Sequence, residues 1–221
     1  NKIIINNLLL DSSNLIKGVS KVDLDYLDIE GKRNIILINK INKKDYQVRG
    51  QSFNANSMIS DLLKDNDKEK NKIFKNNLKI RENLNKFLLD NENTVKNLSG
   101  SLEIKNNEIV EAEISAFFMD KNSLKFTIRS NQNEKITTFV SSKAKPFVKR
   151  YKFIKGFDEG NLNFSSSKTD GISNSLLIID NFKIQEIPVL AKLLSLASLQ
   201  GIADLLTGEG IRFSDFEMKF T

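Results

Sequence analysis

The chain has 221 residues, 34 Lys+Arg against 28 Asp+Glu for a formal charge of +6, and neither Cys, His nor Trp. Without Cys there are no disulfides, thiolate metal sites, iron–sulfur clusters or thiol nucleophiles, and without His the commonest general base and zinc ligand is gone. Hydrophobic residues make up 39%, slightly under the usual globular share, and Asn and Lys fill the difference.

Alternation with period two dominates the chain. Val22-Asp-Leu24-Asp-Tyr26 and Tyr46-Gln-Val48-Arg-Gly50 each place apolar residues at every second position. Between them, residues 34–39 carry a run of Ile and Leu. Leu98-Ser-Gly100-Ser-Leu102-Glu-Ile104 predicts a strand, the Asn106-Asn107 pair a tight turn, and Val110-Glu-Ala112-Glu-Ile114-Ser-Ala116 the return strand. Leu124-Lys-Phe126-Thr-Ile128, residues 136–140, Leu162-Asn-Phe164, residues 176–184 and Phe216-Glu-Met218-Lys-Phe220 continue the pattern. Successive side chains of a strand point to opposite faces, so each segment has one apolar and one wet face. Short connections between them favour antiparallel meanders.

Three stretches predict helix. Residues 57–64 place Met58, Ile59, Leu62 and Leu63 on one side, with Asn56 or Ser57 as the N-cap. The charged run at 65–72 that follows reads as a mobile loop. Residues 146–151 predict a short helical turn. Pro188 opens an apolar helix through Leu190, Leu193, Leu194 and Leu196, which Gly201 interrupts; a second short helix through Leu205 ends at Gly208 and Gly210. This helical hairpin at 188–206 holds about 18 residues, below the roughly 20 that a membrane span needs, and includes Lys192, Gln200 and Asp204. It either caps the sheet or docks on a membrane or partner.

The charged residues point to no chemistry. Asp23, Asp25, Glu111 and Glu113 alternate with apolar neighbours, as the solvated face of a strand does. No glycine spacing matches a phosphate loop. Lys143, Lys145, Lys149, Arg150, Lys152 and Lys155 form the densest basic cluster, but no basic run is laced with aromatics as a nucleic-acid groove would be. The chain is therefore expected to be no enzyme, with no cofactor, no metal and no nucleic-acid partner. The problem its pattern raises is cover for many apolar strand faces. Either a second sheet closes a sandwich, or the sheet curls into a trough that holds acyl chains.

The segment Leu176-Leu-Ile-Ile-Asp-Asn-Phe182-Lys-Ile-Gln-Glu-Ile-Pro188-Val-Leu-Ala, continuing through Leu-Ser-Leu-Ala-Ser to Gly208-Glu-Gly210-Ile, resembles the C-terminal signature of AsmA-like envelope proteins of the YhdP type. Upstream, Val48-Arg-Gly50, Leu98-Ser-Gly100-Ser-Leu102, Lys155-Gly156-Phe157 and Gly160-Asn-Leu162 resemble that family's strand steps in order, with Phe157 where the family often has a second glycine. The resemblance implies a large periplasmic protein of a double-membrane bacterium, anchored in the inner membrane by a segment outside this chain and built like a bridge-like lipid-transfer protein. It implies phospholipid movement between the two membranes in support of the outer-membrane barrier, with a possible outer-membrane or envelope protein as partner.

The resulting expectation is a β-rich α+β fold, with an antiparallel sheet curled into an open groove, a short helix near 57–64 and the hairpin at 188–206. Residues 1–221 read as a single slice of a longer repetitive domain. The residues expected to line the groove are Val110, Ala112, Ile114, Ala116, Leu124, Phe126, Ile128, Phe216, Met218 and Phe220, chosen from alternation alone. The competing expectation is a closed β-rich envelope scaffold that carries no lipid.

Overall fold

The computed structural model describes residues 1–12, 16–62, 77–106, 108–151, 155–185 and 210–221. In chain order the strands are β1 (Lys2–Asn6), β2 (Leu9–Leu10), β3 (Ile16–Gly18), β4 (Lys21–Leu27), β5 (Arg33–Lys40), β6 (Asp45–Asn54), β7 (Leu78–Leu88), β8 (Thr94–Lys105), β9 (Glu108–Phe118), β10 (Ser123–Ser130), β11 (Lys135–Ser141), β12 (Phe157–Thr169), β13 (Ile172–Ile184) and β14 (Ile211–Phe220). Helix α1 (Asn56–Leu62) follows β6, and α2 (Lys145–Val148), extended by a 3-10 turn at Lys149–Tyr151, follows β11.

Twelve strands form one sheet in the order β1-β4-β5-β6-β7-β8-β9-β10-β11-β12-β13-β14, while β2 and β3 pair separately. The sheet is open: β1 and β14 each have one neighbour, so it does not close into a barrel. The expected β-rich fold is present. Its expected all-antiparallel character needs one correction. β6 and β7 run parallel, because the segment between them carries α1 and is long enough to return the chain to its starting end, as a parallel pair requires. Every other adjacent pair is antiparallel.

Most strands fall where alternation puts them, but β1, β2, β3 and β7 were not expected. β1 is a run of three Ile with no alternation. β7 alternates Leu78, Ile80, Glu82 and Leu84, and the carboxylate in third place breaks the apolar pattern. The turn at Asn106 has φ 52°, the left-handed conformation that Asn tolerates better than most residues.

α1 begins at Asn56, one residue before the expected stretch at 57–64. The helical bond from the Ile59 N–H goes to the Ala55 carbonyl, and the Asn56 N–H is satisfied by the Asn54 side-chain oxygen at 3.2 Å. Ala55 and Asn54, at the end of β6, thus satisfy the first helical bond and the Asn56 N–H. Ile59 packs on the core, whereas Met58, expected beside it, is exposed. The short turn expected at 146–151 is α2 and its 3-10 extension. The charged loop at 65–72 and the hairpin at 188–206, with Pro188, Leu190, Leu193, Leu194, Leu196, Gly201, Leu205 and Gly208, lie outside the described residues. No described helix is long and apolar enough to cross a membrane.

Two clusters hold the sheet. Leu84, Leu89, Val95, Leu98, Ala116, Phe118 and Leu124 form the first, with Ile59 of α1 and Phe147 of α2 packed against it. Ala144 and Val148 join Phe157, Leu162, Ile179 and Phe182 in the second. Both depend on irregularities that reset the alternation. Asn97, at φ 52°, sits where β8 shifts register against β9, which lets Val95 and Leu98 face the same core despite their odd spacing. Glu159, Gly160 and Asn181, all at positive φ, do the same for Phe157 with Leu162 and for Phe182 with Ile179.

Candidate functional site

Strand register converts the alternation of separate segments into continuous rows. One row crosses all twelve strands by direct pairing: Ile5, Val22, Ile38, Val48, Glu82, Gly100, Ile114, Phe126, Phe139, Phe164, Leu177 and Met218. Ten of these twelve are apolar; the exceptions are Glu82 and Gly100. None is buried: the row is half-buried from Val22 to Leu177 and exposed at its ends. At about 4.8 Å per strand, the row is about 50 Å long.

The rows on either side differ from it. Toward the helices, Leu84, Leu98, Ala116, Leu124, Leu162 and Ile179 are buried, with α1 and α2 packed over that end of the strands. On the far side, Tyr46, Ile80, Leu102, Ala112 and Ile128 give way to Thr137, Ser166 and Ser175 before Phe220. The apolar face thus has a packed margin, a half-open middle and a margin that turns polar across β11–β13.

Nine of the ten residues singled out from alternation meet on this face by direct pairing. Ala116 pairs with Leu124, Ile114 with Phe126 and Ala112 with Ile128. Phe216, Met218 and Phe220 pair with Ile179, Leu177 and Ser175, which carry the same rows to the sheet edge. Val110, two residues before Ala112, lies where β8 and β9 shift register and has no direct partner there. Of the hairpin residues only Gly210 is described. It is buried at φ 88°, and a Cβ would come within 2.7 Å of the Ile184 carbonyl oxygen, so glycine is required by both conformation and space.

Two glycines mark close backbone approach on either side of β7. A Cβ on Gly50 would lie 2.5 Å from the Ile35 carbonyl oxygen and 2.8 Å from Leu84 Cδ2. A Cβ on Gly100 would run into the Glu113 carbonyl oxygen and come within 2.8 Å of Ile114 Cα. Glycine inside a strand marks such close backbone approach and permits a sharp bend. Between the two lies Glu82, which is half-buried, but both its carboxylate oxygens are shielded from solvent and have no hydrogen-bond partner. Burial pushes its carboxyl up to about 7, because desolvation penalises the charged form and no nearby cation offsets it. Glu82 was missed from sequence; the signal was available as the single acidic break in an otherwise regular Leu78-Ile80-Glu82-Leu84 alternation.

The opposite face is electrostatically self-satisfied. Arg129 reaches Glu111 and Glu113, and Lys125 also reaches Glu113. Asp23 pairs with Lys2, and Asp25 with Arg33, whose guanidinium holds the Asp25 carboxyl below its usual range. In the basic cluster near α2, Lys143 pairs with Asp120, Lys145 with Asp158 and Lys149 with Glu92, and Arg150 donates to the Leu89 carbonyl, while Lys152 lies outside the described residues. The described residues hold no group of carboxylates arranged to bind a metal.

Comparison with protein-family models, curated proteins and solved structures finds no match to this chain.

Proposed function

We propose that this chain is a stretch of a lipid-conducting groove. In this reading, acyl chains of phospholipids lie along the half-open apolar row while their headgroups remain in water. The parent protein is periplasmic, anchored in the inner membrane by a segment outside this chain, and carries phospholipid between the inner and outer membranes of a double-membrane bacterium. The observation that carries the reading is the row from Ile5 to Met218, apolar at ten positions, half-buried from Val22 to Leu177 and exposed at both ends. At about 50 Å it is several times longer than the acyl region of one leaflet, about half of a ~30 Å bilayer core. It can therefore hold chains end to end.

The energetics suit a conduit. Each methylene that enters the groove gains about 0.8 kcal/mol, and its removal from a bilayer loses about the same. Transfer is nearly thermoneutral, and it needs no chemical step and no catalytic side chain.

The packed margin under α1 and α2 favours a second reading, in which the whole face is protein-covered and the chain is an envelope scaffold without lipid. A photocrosslinking amino acid at Ile114 or Phe126, with Lys125 on the opposite face as control, separates the two. Phospholipid captured at the first two positions and not at Lys125 is the expected result. Capture at neither, or equal capture at all three, rejects the groove.

A further inference from the structure

The apolar row has one ionisable side chain, Glu82, and it stands in the interior of the row between Val48 and Gly100. Its oxygens are shut off from water and unpartnered. On this face of the neighbouring strands Tyr46 is the one titratable side chain, and Lys40 stands beside Tyr46 one strand further out. The helices bring Ile59 and Phe147 to the adjoining core, and neither titrates. Among the described residues nothing on this face compensates a negative charge at this point.

We propose that Glu82 is a proton-operated gate in the apolar row: protonated, it is one more neutral position along which an acyl chain can lie, and ionised, it interrupts the row. This rests on the groove reading above. The protonated carboxyl adds no charge beside an apolar chain, whereas the shielded, unpartnered carboxylate must turn toward water to ionise, and an acyl chain lying over it closes that route. Acyl occupancy across β6–β8 then rises as the medium becomes acidic. The carboxyl's elevated ionisation range places the transition near neutrality, where small pH differences act on it.

The test uses the 221-residue chain and its Glu82→Gln form. Uptake of a fluorescent-acyl phospholipid from phosphatidylethanolamine–phosphatidylglycerol vesicles is measured at about pH 5.5 and about pH 8.5, with wild-type uptake expected to be roughly tenfold higher at the acidic value. Glu82→Gln is expected to take up lipid at the acidic wild-type level at both values. Uptake that is flat with pH in the wild type, or that keeps its pH dependence in Glu82→Gln, overturns the gate and leaves the groove standing. No uptake by either protein at either pH overturns the groove, and the gate with it. A readout without lipid is the carboxyl carbon resonance that Glu82→Gln removes: titration near 7 is expected, and a midpoint in the ordinary glutamate range overturns the gate.

Discussion

Gly100 stands directly opposite Glu82 in the β7–β8 ladder, and the space that a Cβ on Gly100 would need is already taken by the backbone of β9. A residue without a side chain and a carboxyl without a partner thus occupy adjacent positions in the one row that crosses the whole sheet. The close approach of β9 at Gly100 leaves no space for a side chain directly opposite the Glu82 carboxyl.

Gly100→Ala is therefore expected to destabilise the chain by about 2–4 kcal/mol, since a strand backbone must shift to admit the methyl. Gly171→Ala is a fitting comparison. That glycine, unlike Gly100, has positive φ, 83°, but nothing lies within 4 Å of its Cβ position, so backbone strain alone should cost about 1 kcal/mol. Urea unfolding of the two variants checks the difference; equal losses would contradict the close approach of β9 at Gly100.

Glu82 makes stability depend on pH with a definite sign. Its folded-state carboxyl is raised from 4.5 to about 7, so the protonated form is favoured in the folded chain. That contribution is complete below about pH 4.5 and is lost as pH rises through about 7. Glu82→Gln should consequently raise the melting temperature at pH 8 and change it little at pH 4. The gain at pH 8 should be on the order of 2 kcal/mol after allowing for partial solvent screening. Thermal melts of both proteins across this range measure it.

The two faces of the sheet should respond differently to truncation. Leu84→Ala removes a side chain buried in the first cluster and should cost about 2–5 kcal/mol. Arg129→Ala breaks ion pairs whose side chains are all more than half exposed and should cost less than about 1 kcal/mol. Denaturant titration distinguishes these outcomes, and the Arg129 effect should shrink further in high salt.

Phe182 is stacked between Phe157, at 5.3 Å, and Phe213, at 5.2 Å, and so ties β12, β13 and β14 together. Phe182→Ala is expected to cost about 3–5 kcal/mol. Because β14 is an edge strand, its amides should lose protection first. Hydrogen exchange that rises across Ile211–Phe220 more than across β9 and β10 is the expected pattern.

Much of the sheet was legible before the structure. Period-two alternation identifies β4, β6, β8, β9, β10 and β14, and on β9 and β10 the side it picks holds the buried Ala112, Ala116, Leu124 and Ile128, because the side chains of a strand cannot do otherwise than alternate. β7 escapes because its inward positions include Glu82, and β1 because three consecutive Ile carry no alternation. The core pairs Val95 with Leu98 and Phe157 with Leu162 also escape, because positive-φ residues between them reverse the alternation on which the reading depends.

By itself the sequence determined that the chain is strand-rich, that its strands have one apolar and one charged side, and that it lacks thiol and imidazole chemistry. These are local properties, set by composition and by the two-residue repeat of an extended backbone. Only the tertiary structure decided that β6 and β7 run parallel, that the apolar sides join into one row through twelve strands, and that Glu82 lies within that row. Register, bending and burial depend on which strands pair, and pairing is settled by contacts between residues far apart in the chain.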